Sequence, residues 1–149
     1  MEKILLTNRK ANYDFEVLER FEAGISLFGH EAKSLKAGGA HFTGTFITIN
    51  DDEAWIKHFH VPLYSNSTLP QYEPERPRKL LLRKAEIQKI AGALSTKGVT
   101  VVPLSCGLKN GRVKLEIALV RGKKTYDKRE SLKKKDQERQ IRTALKYNT

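Results

Sequence analysis

Residues 99–122, VTVVPLSCGLKNGRVKLEIALVRG, decide the fold. Val99 to Leu108 is a β-rich run, and Asn110-Gly111 after it is among the strongest short hairpin signals. Val113, Leu115, Ile117 and Leu119 then face one way while Lys114 and Glu116 face the other, the period of a half-buried strand. Pro103 lacks an N–H for a ladder, so the first strand should have an edge or a bulge there. The one cysteine, Cys106, allows no intrachain disulfide and no multi-Cys zinc site. Among Val101, Val102 and Leu104 it reads as a buried structural thiol.

Upstream of this hairpin, Ile87, Ile90, Ala91 and Leu94 repeat at helical spacing, with Lys97-Gly98 as a C-terminal signal. Before them, RPRKLLLRK sets Arg76, Arg78, Lys79, Arg83 and Lys84 around Leu80 to Leu82. Pro62, Pro70, Pro74 and Pro77 punctuate a long irregular loop over 62–77. Phe42 to Ile49 and Ala54 to Val61 form a second predicted hairpin, turning at Asn50-Asp51-Asp52-Glu53. The two aspartates read as turn residues rather than metal ligands. His58 and His60 would share one strand face, but two ligands do not make a zinc site. HEAKSLKA (30–37), followed by Gly38-Gly39, predicts a short helix with a glycine C-cap. The segment 13–28 alternates as one long strand or two joined by a bend or bulge at Gly24, after a polar, basic entry at 8–12.

These elements give a mainly β fold with no βαβ alternation: a small antiparallel barrel, closed or partly open, with two or three short helices. Residues 1–120 are expected to form it. Residues 121–149 hold eleven Lys or Arg against four acids, +7 of the chain's +11. With so few aliphatics this tail should be disordered when free. On a helix its Lys128, Lys135, Arg139, Arg142 and Lys146 fall within about 60° of one another, opposite Ile141, Ala144 and Leu145. That sorting predicts folding on a polyanion, and a helix over 128–146 would reach about 28 Å.

The pI near 9.8 points to nucleic acid. Cations gather in three places: Arg9 and Lys10, the Arg76 to Lys84 cluster, and the tail, where Tyr126 offers a stacking face. No phosphate-binding glycine loop, nucleophile elbow or metal-spaced Cys/His set is visible, so neither catalysis nor a cofactor is expected. No run of 18 apolar residues and no secretory signal is seen, which predicts a cytoplasmic protein without a membrane partner. A generic basic ribosomal or ribosome-assembly protein is the competing reading of the charge alone.

Several motifs occur in one order: NRKA (8–11), FEAG (21–24), GHEAKSLKAG (29–38), EPERPRKLLL (73–82), KG-x-TVVPL (97–104), KNGRVK (109–114) and GKKTYDKR (122–129). Through them the chain resembles the SmpB family of SsrA-binding proteins along essentially its full length. The resemblance implies an oligonucleotide-binding-type (OB-like) barrel that grips the tRNA-like domain of tmRNA and brings it to stalled ribosomes in trans-translation. It also implies that the tail enters the empty mRNA channel beyond the decoding centre of the small subunit. Elongation factor Tu is a further candidate partner, met through the tmRNA complex.

With the charge map, the resemblance gives as tmRNA-binding candidates Arg9, Lys10, Glu22, Lys33, Arg78, Lys79, Leu81, Arg83, Lys109 and Asn110. The ribosome-binding candidates are Gly122, Lys123, Lys124, Tyr126, Asp127, Lys128, Arg129, Lys135, Arg139, Arg142 and Leu145. Arg83 stands where the family usually has His or Asn, and Gly44-Thr45-Phe46 replaces an acid-Ser-Tyr pattern.

Overall fold

The computed structural model describes residues 3–64 and 70–122. In chain order the elements are β1 (Lys3–Thr7), α1 (Arg9–Asp14), β2 (Phe15–Ile25), α2 (Gly29–Ala37), β3 (Phe46–Asn50), β4 (Glu53–Lys57), β5 (Arg78–Leu81), α3 (Lys84–Leu94), β6 (Val99–Lys109) and β7 (Arg112–Gly122). The β6–β7 hairpin is the spine. It pairs from Val99 opposite Arg121 to Lys109 opposite Arg112, around a turn with Asn110 at φ 52° and Gly111 at φ 75°. Both central residues sit in the left-handed region, as a two-residue turn matched to strand twist requires. The ladder slips between Pro103 and Ser105, so the expected proline irregularity is a bulge.

All seven strands form one antiparallel sheet in the order β1-β6-β7-β2-β5-β4-β3. The sheet curls until β3 lies against β6, with no ladder between the two. The barrel is therefore partly open. Its interior buries Ile56, Phe59, Leu80, Val101, Leu115 and Ile117 completely, and Ile90 of α3 plugs it. Each such side chain contributes about 1.5–3 kcal/mol by leaving water. Cys106 lies in the same core, where burial pushes its thiol up to about 12.

Several expectations need correction. Residues 9–14 form a helix rather than an entry into a strand, because the outer face of β6–β7 here is apolar. Val102, Leu104, Ala118 and Val120 need a cover, and Ala11 of α1 supplies it. β1 was not foreseen. It pairs with the far half of β6, and its Leu5 and Leu6 pack partly on the core. In β2 the bulge falls between Val17 and Glu19, not at Gly24.

The second hairpin is shorter than its sequence run. Asp51 and Asp52, at φ 50° and 60°, make its turn, and β4 stops at Lys57 because His58 turns to φ 61°. His58 and His60 are thus not strand neighbours; His60 bridges His41 instead. Helix α3 ends at Leu94 with Ser95 as its C-cap, three residues before Gly98. Its Ala93, not Ala91, meets the core.

Candidate nucleic-acid interface

Outward-facing positions of β2 alternate with the core residues Phe21, Ala23 and Ile25, which exposes Glu22 near the β6–β7 turn and sets Gly24 on the same face, buried beneath Leu81. Glu22 accepts from Lys109 Nζ at 3.2 Å, and Arg20 bonds Glu116 at 2.9 Å. These are exposed pairs worth at most about 1 kcal/mol each, so both partners stay available to a ligand. Gly24 lies between two ladders, opposite Leu81 on β5 and Lys114 on β7. Leu81 is 58% exposed and lies across the glycine. Arg83, exposed at the N-cap of α3, has its backbone N–H fixed by Glu86 at 3.0 Å. Glu22, Leu81, Arg83, Lys109 and Asn110 are therefore all carried by this half of the sheet.

A Cβ at Gly24 would stand 3.2 Å from Leu81 Cβ and 3.6 Å from Lys114 Nζ. Gly24→Val should displace Leu81 and lower stability by about 1–3 kcal/mol, read in a thermal melt, with weaker RNA binding alongside. Gly24→Ala should do less, since the neighbour then gives by only tenths of an ångström.

Other candidates lie elsewhere. Arg9 and Lys10 are exposed on α1. The C-terminal end of β7 lies nearby, where Gly122 pairs with Phe15. That is the opposite end of β7 from Asn110. A groove of about 580 Å³ runs there between α1 and residues 41–46, lined by Arg9, Lys10, Phe15, His41 and Phe46 among others. Lys33 is exposed on α2, and no contact ties it to Glu22. Lys79 is half-buried with its ammonium 3.3 Å from Glu53. Gly122 belongs to β7; the remaining tail candidates, Lys123 to Leu145, lie outside the described residues.

Arg78 is a correction. It is 0% exposed, and its five N–H donors are all used inside the protein, so it cannot reach a phosphate. Nε donates to Glu31 at 2.7 Å, Nη1 to the carbonyls of Phe59 (2.7 Å) and Arg76 (3.2 Å), and Nη2 to the Tyr72 hydroxyl and the Pro74 carbonyl (both 3.0 Å). Glu31, also 0% exposed, takes further bonds from Arg76 and from the backbone N–H of Phe28. Burial alone would raise its pKa, but the bonds from Arg76, Phe28 and Arg78 outweigh it and hold the carboxyl down at about 2. Burial, then the Glu31 carboxylate, push the Tyr72 phenol up to about 12.

The sequence missed this cluster. Its one signal was an acid, Glu31, spaced among helix residues that otherwise turn inward.

The histidines do not form a metal cradle. His58 and His60 each approach one oxygen of Glu75 at 4.0 Å, and His41 stacks on His60 at 4.5 Å. Among the described residues no group of three or more His, Cys, Asp or Glu is placed to hold a metal. Among the same residues no helix is long and apolar enough to cross a membrane.

Comparison with known proteins places this geometry in a family. The family model described as "SmpB protein" matches residues 5–147. The SsrA-binding protein of Fervidobacterium nodosum is 46% identical over 147 residues, covering 98% of this chain and 99% of the relative. That of Oleidesulfovibrio alaskensis is 48% identical over 142 residues, 95% of this chain and 92% of the relative. A solved structure described as "tmRNA-SmpB: a journey to the center of the bacterial ribosome" superposes with a TM-score of 0.70 at 40% identity, over 85% of this chain and 93% of that chain. With this match along nearly its whole length, the chain belongs to the SmpB family.

Proposed function

We propose that the chain is a non-catalytic RNA-binding adaptor that holds the tRNA-like domain of tmRNA and delivers it to stalled ribosomes in the cytoplasm. The observation that carries this is the near full-length kinship, at 46–48% identity, with proteins named for binding SsrA. The sheet supports a division of labour. Glu22, Leu81, Arg83, Lys109 and Asn110 take tmRNA at one end of β7, and the tail root at Gly122 leads to the ribosome at the other; Arg9 and Lys10, tmRNA candidates by motif and charge, lie on α1 beside that second end. Two reactive groups among the described residues have structural roles, which supports the non-catalytic reading: the thiol of Cys106 is in the core, and Glu31 is enclosed by arginines.

Copurification and sequencing of bound RNA tests the reading directly. Enrichment of tmRNA is expected; rRNA recovered with no tmRNA preference would favour a generic ribosomal protein. Because six to eight phosphate contacts are anticipated, log K against log salt should fall with a slope of about −4 to −7. A flat salt response in a filter-binding assay would contradict the electrostatic basis of the site.

A further inference from the structure

We propose that Phe28 is a stacking platform for an unpaired nucleobase of the bound RNA, at the margin of the Glu22–Leu81 face; this deepens the RNA-binding reading above and rests on it. Phe28 is 53% exposed and, with Leu81, is one of four large exposed apolar side chains among the described residues. Beyond β2 the chain stays alongside β5, with Ser26 N–H donating to the Lys79 carbonyl at 2.9 Å. The row Glu22, Gly24, Ser26 therefore leads along the outer surface towards Phe28.

An exposed phenyl alone means little. What distinguishes this one is how it is held. The Arg76 guanidinium lies over the ring, 3.9 Å from Cζ to centroid. Glu31 fixes that guanidinium through both carboxylate oxygens and also accepts the backbone N–H of Phe28 at 2.8 Å. One buried carboxylate thus positions the ring and the cation above it. His30 packs at 5.9 Å from the Phe28 ring and meets Tyr72 edge-to-face at 4.6 Å. Its two ring nitrogens have no partner among the described residues, so ring packing is what seats it.

The result is a phenyl–guanidinium stack held by Glu31 on a residue that is still 53% exposed. A base added to the exposed part of the ring would extend the stack, as every base has a π-face and the Arg76 cation polarises the ring. A nucleobase fits better than an apolar protein side chain, because the ring is already stacked on the Arg76 guanidinium and Lys79 lies on the adjoining strand beside Ser26.

The test uses the full chain and a transcript of the tmRNA tRNA-like domain. Phe28→Ala should weaken binding roughly 5- to 150-fold with an unchanged melting temperature, while Phe28→Trp retains it and Phe28→Leu does not. In a Trp55→Phe background, the Phe28→Trp indole fluorescence should be quenched on adding RNA. Unchanged affinity for Phe28→Ala, or Phe28→Leu binding as well as Phe28→Trp, would overturn the platform. Loss of binding by Leu81→Ala with none by Phe28→Ala would remove the platform and leave the adaptor reading standing. If the wild-type chain shows no tmRNA preference, the adaptor reading fails, and the Ala/Leu/Trp contrast on the RNA it does bind still decides the platform.

Discussion

Glu31→Ala is expected to lose roughly 3–5 kcal/mol of stability, a large part of the ~5–15 kcal/mol that holds a domain together. The cause is the charge left behind. Arg78 is fully buried, and the four remaining acceptors, three carbonyls and the Tyr72 hydroxyl, carry no charge to balance it. Glu31→Gln keeps the shape without the charge and should fall between wild type and alanine. Replacing Glu31 and Arg78 together with apolar residues should cost less than alanine alone, since no unpaired ion is then buried. Chemical denaturation of the set measures these differences.

The pH dependence follows with a definite sign. The carboxyl of Glu31 sits at about 2 against an ordinary 4.5, so its contribution is fully present above pH 4.5 and is lost as pH falls towards 2. Tyr72 shifts the other way, to about 12 from 10.0; its contribution is complete below pH 10 and is lost as pH rises towards 12. The acid limb should vanish in Glu31→Gln and the alkaline limb in Tyr72→Phe. An acid limb unchanged in Glu31→Gln would show that other carboxylates govern acid unfolding.

Why the sheet was legible and the cluster was not comes down to range. Asn110-Gly111 and the alternation over 113–119 are local signals, and the pairing of β6 with β7 follows from the turn between them. The bulge near Pro103 was legible for the same reason, since one residue's missing N–H determines it. Residues 9–14 became a helix for a non-local reason: the outer faces of Val102, Leu104, Ala118 and Val120 had to be covered. Likewise, Arg78 looks like its exposed neighbours in RPRKLLLRK, yet register with Ile56 turns it inward to Glu31, 47 residues away. Charge counting assigns it to the ligand, and only the fold reassigns it. Of the candidate interface, the exposed members Glu22, Leu81, Arg83 and Lys109 were legible through motifs, whereas Phe28 carries no motif and emerges only from its stack with Arg76.

Truncation after Gly122 is expected to leave affinity for the tRNA-like domain of tmRNA within about threefold at physiological salt and to reduce ribosome rescue below detection. Distance decides the first half. β7 has 11 residues, so its end at Gly122 stands roughly 33 Å from the turn beside Lys109. Charges that far apart are screened, because the Debye length is about 8 Å at 0.15 M salt. At low salt the truncated chain should bind RNA more weakly, as ten of the chain's 28 cations are then missing. The second half rests on the sorting of charge in residues 128–146, with Leu145 opposite the basic stripe.

A chain whose tail keeps its composition but scrambles its order separates two explanations. If net charge alone carries rescue, the scrambled chain should work as well as wild type. If a helix must present one basic face, it should fail, as should Leu145→Asp, while both still bind tmRNA. RNA binding lost on truncation with rescue intact would reverse the assignment of the two ends. Filter binding and a tagging assay on stalled ribosomes, run on the same preparations, distinguish all of these outcomes.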